Sequence, residues 1–267
     1  MKPESSPQPY GAQAWLYDQE YKSYVDDIPF YLNLLHTYPP RGPILDLGCG
    51  TGRVSFPLVQ AGHSVVGVDV SDPMLRRARQ RLKQQPEELQ ARLRFYKRDI
   101  TKLAFSSPMG AVLAPFSVLC LLPSREQVRQ CLARSASVLA PGGLFVADVF
   151  AASERTRQAR DESPRLLYSF RLPSYGHMVD KFIQERYDPD HRWLEVRYFF
   201  VEKDYYGEKT LREQVIVFTL MLLEPEELCA WAEDVGLEVK MLYGDYFGQP
   251  LQAHSGRLLL ECVRRHT

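Results

Sequence analysis

Three acids stand at the ends of three apolar runs: Asp46 in "ILDLGCGTGR" (44–53), Asp69 in "SVVGVD" (64–69) and Asp99 in "RLRFYKRD" (92–99). Glycines 48, 50 and 52 alternate directly behind the first acid. Glycine lets a backbone turn sharply and approach a ligand closely. A carboxylate at the second position can accept hydrogen bonds from both hydroxyls of a ribose. One at the third is placed to accept from an adenine amino group. Asp46 would repel a pyrophosphate and suits a cationic amine. A dinucleotide fingerprint reads GxGxxG, and its third glycine would fall where Arg53 stands. A phosphate loop would need GxxxxGK[ST], which does not follow. The ligand implied carries an adenosine and a positive head without phosphate, a description that S-adenosylmethionine fits.

The elements that must position these residues read as alternating strands and helices. Strand-like runs lie at 43–48, 64–69, 92–99, 111–119 and 144–150, and helical patterns at 53–60, 72–85 and 124–139, the last ended by "PGG" at 141–143. Ser71 or Asp72 suits an N-cap. Such alternation gives right-handed βαβ units and a parallel sheet. From about 165 to 223 strand-like runs follow one another without helices, with "DPDH" (188–191) as a hairpin turn. An antiparallel insertion of three or four strands is expected there. A helix at 224–235 and two strands, 237–243 and 256–265, close the chain.

Together, "LDLGCGTGR", "VVGVDVSDPMLRRAR" and "LAPGGLFVADVF" resemble the motifs of the class I S-adenosylmethionine-dependent methyltransferases. The resemblance covers roughly 17–150 and, more weakly, 224–265. It implies a Rossmann-like, doubly wound α/β fold with seven strands in the order 3-2-1-4-5-7-6, strand 7 antiparallel. The core would comprise 41–150 and 224–267, the antiparallel β insertion between strand 5 and the last helix 151–223, and a tail with an N-terminal lid helix 1–40. Carried over by motif, Asp46, Gly48, Cys49, Gly50, Gly52 and Arg53 form the cofactor loop. Asp69 holds the ribose, Val70 and Met74 flank the adenine, Asp99 and Ile100 edge it, and Ala114 and Phe116 approach the sulfonium. Gly110 stands where many members have an acid before strand 4. The segment "YDQEYKSYVDDIPFYLNLL" resembles the lid of small-molecule and amino-sugar N-methyltransferases, in which tyrosines reach the cofactor carboxylate. Tyr17, Tyr21 and Tyr24, spaced to share one helical face, are the candidates.

Methyl transfer from a sulfonium to a small-molecule acceptor, more readily nitrogen than oxygen, is the implied activity, with S-adenosylhomocysteine as product. No decisive base is visible. Asp245 and His254, in the loop after strand 6, are the candidate catalytic groups. Tyr246, with Tyr175 and His177 of the insertion, would face the acceptor. No metal site is implied. The competing readings are a non-catalytic S-adenosylmethionine-binding module that regulates or scaffolds a partner and an NAD(P)-dependent reductase.

Lys plus Arg and Asp plus Glu both number 33, so no global charge draws the chain to nucleic acid or an anionic membrane. The basic run Arg76, Arg77, Arg79, Arg81 and Lys83 reads as the solvated faces of one helix. Five cysteines without CxxC spacing fit a reducing compartment, and the expected location is the cytoplasm. "EVRYFFVE" and "VIVFTLML" are apolar on both faces, so the insertion sheet should be covered twice, by the core and by a pocket or a second subunit; a homodimer is the expectation.

Overall fold

The computed structural model describes residues 10, 11, 13–151, 153–160, 163–172 and 176–266. Two short helices, α1 (Ala14–Glu20) and α2 (Ile28–Thr37), lead the chain. Strands β1 (Ile44–Leu47), β2 (Val65–Asp69) and β3 (Leu93–Lys97) alternate with α3 (Ser55–Gln60), α4 (Asp72–Lys83) and α5 (Glu87–Arg92). Next come β4 (Met109–Ala114), α6 (Arg125–Val138), β5 (Leu139–Phe150) and the single turn α7 (Glu154–Arg157). Four strands follow: β6 (Arg165–Arg171), β7 (Met178–Asp188), β8 (Trp193–Lys203) and β9 (Thr210–Met221). Helix α8 (Pro225–Asp234) and strands β10 (Leu237–Tyr243) and β11 (Arg257–Arg264) end the chain.

The main sheet runs β3-β2-β1-β4-β5-β11-β10, parallel except for β11, which is antiparallel to both neighbours. This is the expected seven-stranded order. Its central strands are buried from end to end, because helices cover both faces. Helix α4 starts at Asp72-Pro73, where a missing N–H is harmless. It turns Leu75 and Ala78 inward and its arginines outward. Helix α8 opens on a reciprocal capping box between Glu224 and Glu227. No helix among the described residues is long and apolar enough to cross a membrane.

The second sheet, β6-β7-β8-β9, is antiparallel throughout. One face buries Val179, Ile183, Val196, Phe200, Ile216 and Phe218 against Leu16 and Ala14 of α1. The opposite face is less covered: Phe182, Phe199 and Val215 align across three strands, and Val215 is 51% exposed.

Three sequence expectations need correction. The lid is not one helix: the chain leaves α1 after Glu20 and re-enters helix only at Ile28, with Pro29 in the first turn of α2. Proline lacks an N–H and is tolerated only in a helix's first turn, so Pro29 marks a new start rather than a continuation of α1. Helix α6 ends at Val138, before the "PGG", which lies inside β5 beside a register shift. The basic face of α4 is also less free than expected. Arg77 pairs with Asp18 at 2.5 Å, Arg79 donates to Phe95 O, and Arg81 lies 4.2 Å over the Phe56 ring.

Candidate active site

The loop between β1 and α3 crosses the carboxyl ends of the parallel strands, where open α/β sheets bind ligands. Gly48 and Gly50 have φ of +64° and +56°. A Cβ on Gly48 would lie 2.4 Å from Val118 Cγ2, and one on Gly52 2.7 Å from Phe56 Cε2. A Cβ on Gly50 would meet nothing nearer than 4.0 Å. Gly48 and Gly52 thus serve close packing, and Gly50 faces open space. Cys49 is buried in the same loop, and its N–H donates to Val68 O at 3.0 Å.

The three acids behave differently. Asp46 is fully buried; its Oδ2 accepts from Ser55 Oγ at 2.6 Å, and its Oδ1 has no partner. Desolvation pushes its carboxyl up to about 7. Asp69 ties the loop to β2: Oδ2 accepts from Gly50 N at 2.8 Å and Oδ1 from Ser71 N at 2.7 Å. Burial raises its carboxyl and these N–H groups oppose the rise. Each oxygen keeps a lone pair for a further donor. Asp99 caps the turn at Ile100–Lys102, accepting from Thr101 N and Oγ1 at 2.9 and 2.7 Å. Burial there is outweighed by the Thr101 bonds and Lys102, and its carboxyl is lowered. Val70, beside Asp69, is 40% exposed. Met74 is buried on the α1 side, and Ile100 and Ala114 lie within the core.

The lid tyrosines reach this edge without sharing a helical face. The Tyr21 and Tyr24 rings stand 5.0 and 5.6 Å from Phe116, and Tyr17 lies 4.8 Å from Tyr21. Burial raises the Tyr17 hydroxyl, with Arg53 opposing. The Arg53 guanidinium lies 4.8 Å from the Phe116 centroid and forks onto Asp27, while its Nε is buried without a partner. A cleft of about 620 Å³ opens beside these groups, bounded by Tyr17, Tyr24, Thr51, Arg53 and Arg77.

Phe116 and Ser117, at the tip of β4, are left-handed at φ 55° and 63°, unusual for residues with a side chain. Asp148, at the end of β5, holds this turn. Its Oδ2 accepts from Phe116 N at 2.9 Å, and its carbonyl accepts from Ser117 N at 2.8 Å. The same buried carboxylate accepts from Tyr246 Oη at 2.6 Å and Arg257 Nη1 at 2.9 Å. Arg257 Nη2 in turn donates to Tyr24 Oη at 3.1 Å.

Of the acceptor-side candidates, Tyr246 joins this network. Asp245 instead folds its own loop, its Oδ1 accepting from Phe247 N and Gln249 N at 2.9 and 3.1 Å. His254 is exposed on that loop. His177 contacts Glu202 at 2.8 Å on the insertion sheet. Tyr175 lies outside the described residues. Sequence reasoning missed Asp148, Arg257 and Asp27. The available signal was a lone charge in an apolar run, as in "VADVF".

The chain resembles known proteins over most of its length. The methyltransferase-domain family matches residues 44–143. The cypemycin N-terminal methyltransferase of a Streptomyces species is 28% identical over 223 residues, 83% of each chain. The CcbJ methyltransferase of Streptomyces caelestis shares the fold with a TM-score of 0.77 at 22% identity, covering 98% of this chain and 100% of the other. S-adenosylmethionine-bound CalS10, an amino pentose methyltransferase from Micromonospora echinaspora, gives 0.72 at 20% identity, covering 93% and 96%. Residues 44–143 thus match a methyltransferase domain, and in strand order and glycine loop the chain is similar to class I S-adenosylmethionine-dependent methyltransferases.

Proposed function

We propose that the protein transfers the methyl group of S-adenosylmethionine to a nitrogen of a small-molecule acceptor. The observation that carries the cofactor half is the unpartnered, buried Oδ1 of Asp46 beside a loop whose Gly50 faces open space. That combination fits a ligand with a positive head, which would satisfy the orphaned oxygen. Asp69 would take the ribose hydroxyls with its remaining lone pairs, and Asp99 and Ile100 would edge the adenine. Tyr17 and the buried Nε of Arg53 would receive the methionyl carboxylate.

Bound S-adenosylmethionine supplies an activated methyl group on a sulfonium. The chain's own task is then alignment and exclusion of water, which in a dry site can supply a large share of the rate. Phe116, fixed by Asp148 and flanked by Tyr21 and Tyr24, forms the wall against which the acceptor would be aimed. The preference for nitrogen is supported by similar proteins named for an N-terminus and an amino pentose, and among the described residues neither Asp245, bonded within its own loop, nor exposed His254 stands as a poised base. A neutral amine needs no base to attack, whereas a hydroxyl usually does. Calorimetry with S-adenosylhomocysteine, on the wild type and on Asp69→Ala, tests the cofactor half. Release of S-adenosylhomocysteine with a panel of amines and phenols tests the acceptor half. Equal affinity in both proteins, or turnover confined to phenols, would overturn the respective reading.

A further inference from the structure

Between α1 and the inner face of the insertion sheet lies a charge pair shut off from water. Lys181 of β7 contacts the Oε1 of Glu20, the last residue of α1, with side-chain exposures of only 2% and 0%. The Glu20 carboxylate also accepts from Tyr10 Oη on Oε2 and from Tyr168 Oη on Oε1, both at 2.5 Å. The Lys181 Nζ stands 3.5 Å from the Tyr198 centroid and 5.7 and 5.5 Å from those of Tyr21 and Tyr168. One carboxylate inside a ring of electron-rich aromatic faces is the chemistry that recognises an ammonium group.

A buried ion pair is seldom kept for stability, since well-packed apolar residues serve as well. This one also lies next to the candidate site, because the Tyr21 ring that faces Lys181 also contacts Phe116 at 5.0 Å. We propose that Glu20 and its tyrosines form a binding site for a primary ammonium group of the acceptor, with Lys181 as the resident occupant that the acceptor displaces. The proposal rests on the small-molecule amine reading above and names the feature of the acceptor that would be recognised. Because seven-residue α1 covers the pair, the exchange requires α1 to move.

The test removes the occupant. Lys181→Ala deletes the equivalent of n-propylammonium, and that ion is the probe. We expect calorimetry to show n-propylammonium binding to Lys181→Ala at least about tenfold more tightly than to the wild type. Glu20→Gln added to Lys181→Ala should abolish the gain, and n-propanol, with the same stem and no charge, should not bind. Lys181→Met keeps the stem filled and vacates only the Nζ position; ammonium chloride should raise its thermal midpoint above that in equal sodium chloride. S-adenosylhomocysteine binding is measured on each variant, so a failed cofactor reading shows separately. Variants that bind S-adenosylhomocysteine but neither ammonium probe would overturn the proposal, as would n-propanol matching n-propylammonium.

Discussion

Arg53 and Asp27 meet as a forked ion pair, Nη1 2.8 Å from Oδ1 and Nη2 2.6 Å from Oδ2, with side-chain exposures of 10% and 0%. The pair fastens the start of α2 to the glycine loop. It explains why arginine occupies the position that a dinucleotide site would give to glycine. Asp27→Ala would strand a buried guanidinium, and we expect a loss of about 3–5 kcal/mol in urea unfolding. Asp27→Leu combined with Arg53→Met should recover most of it; a double variant as unstable as the single one would contradict this account.

Asp46 makes stability depend on pH in the direction opposite to a salt-bridged acid. Its folded carboxyl holds a proton up to about 7, whereas an unfolded aspartate releases it near about 4. Between these values the folded chain binds more protons, so stability falls as pH rises, by at most about 4 kcal/mol. Asp46→Asn should flatten that slope. A bound cation would favour the carboxylate, so S-adenosylmethionine should bind with proton release near neutral pH. Calorimetry in buffers of different ionisation enthalpy reads this directly.

Two of the loop's three left-handed glycines, Gly48 and Gly50, should fail differently. Gly48→Ala adds a steric clash with Val118 to a backbone penalty of about 1–2 kcal/mol, so its thermal midpoint should drop sharply. Gly50→Ala meets only the backbone penalty, yet it fills the space proposed for the ligand. Its S-adenosylhomocysteine affinity should fall by about tenfold or more, with a smaller change in midpoint.

Arg257 and Tyr246 hold Asp148, which in turn fixes the geometry of Phe116. Arg257→Ala leaves a buried carboxylate without its cation and should cost about 3–5 kcal/mol. Tyr246→Phe removes a single donor, and about 1.5–3 kcal/mol is expected. Denaturant unfolding of both variants gives the comparison; the reverse ranking would mean that the tyrosine, not the arginine, balances Asp148.

The sheet order was legible because its signals are local: glycines, acids at strand tips and helix-period arginines sit within a few residues of the structure they specify. The lid break was less legible, since Tyr10 to Tyr38 has helical composition and only Pro29 marks the new start. Partners such as Asp148 with Arg257 and Glu20 with Lys181 lie 109 and 161 residues apart, and no periodicity links them. What the sequence did display was half of one pair: Asp148, a single charge inside the apolar run "VADVF". Asp245 is the opposite case: its carboxylate folds its own loop, since an acid in a glycine-rich loop serves a tight turn as readily as a substrate.

Phe116 and Ser117 keep their left-handed backbone although glycine would adopt it at lower cost. Glycine at either position would ease that strain but loosen the turn that aims Phe116, so a variant thermostabilised in this way should first be checked for lost turnover.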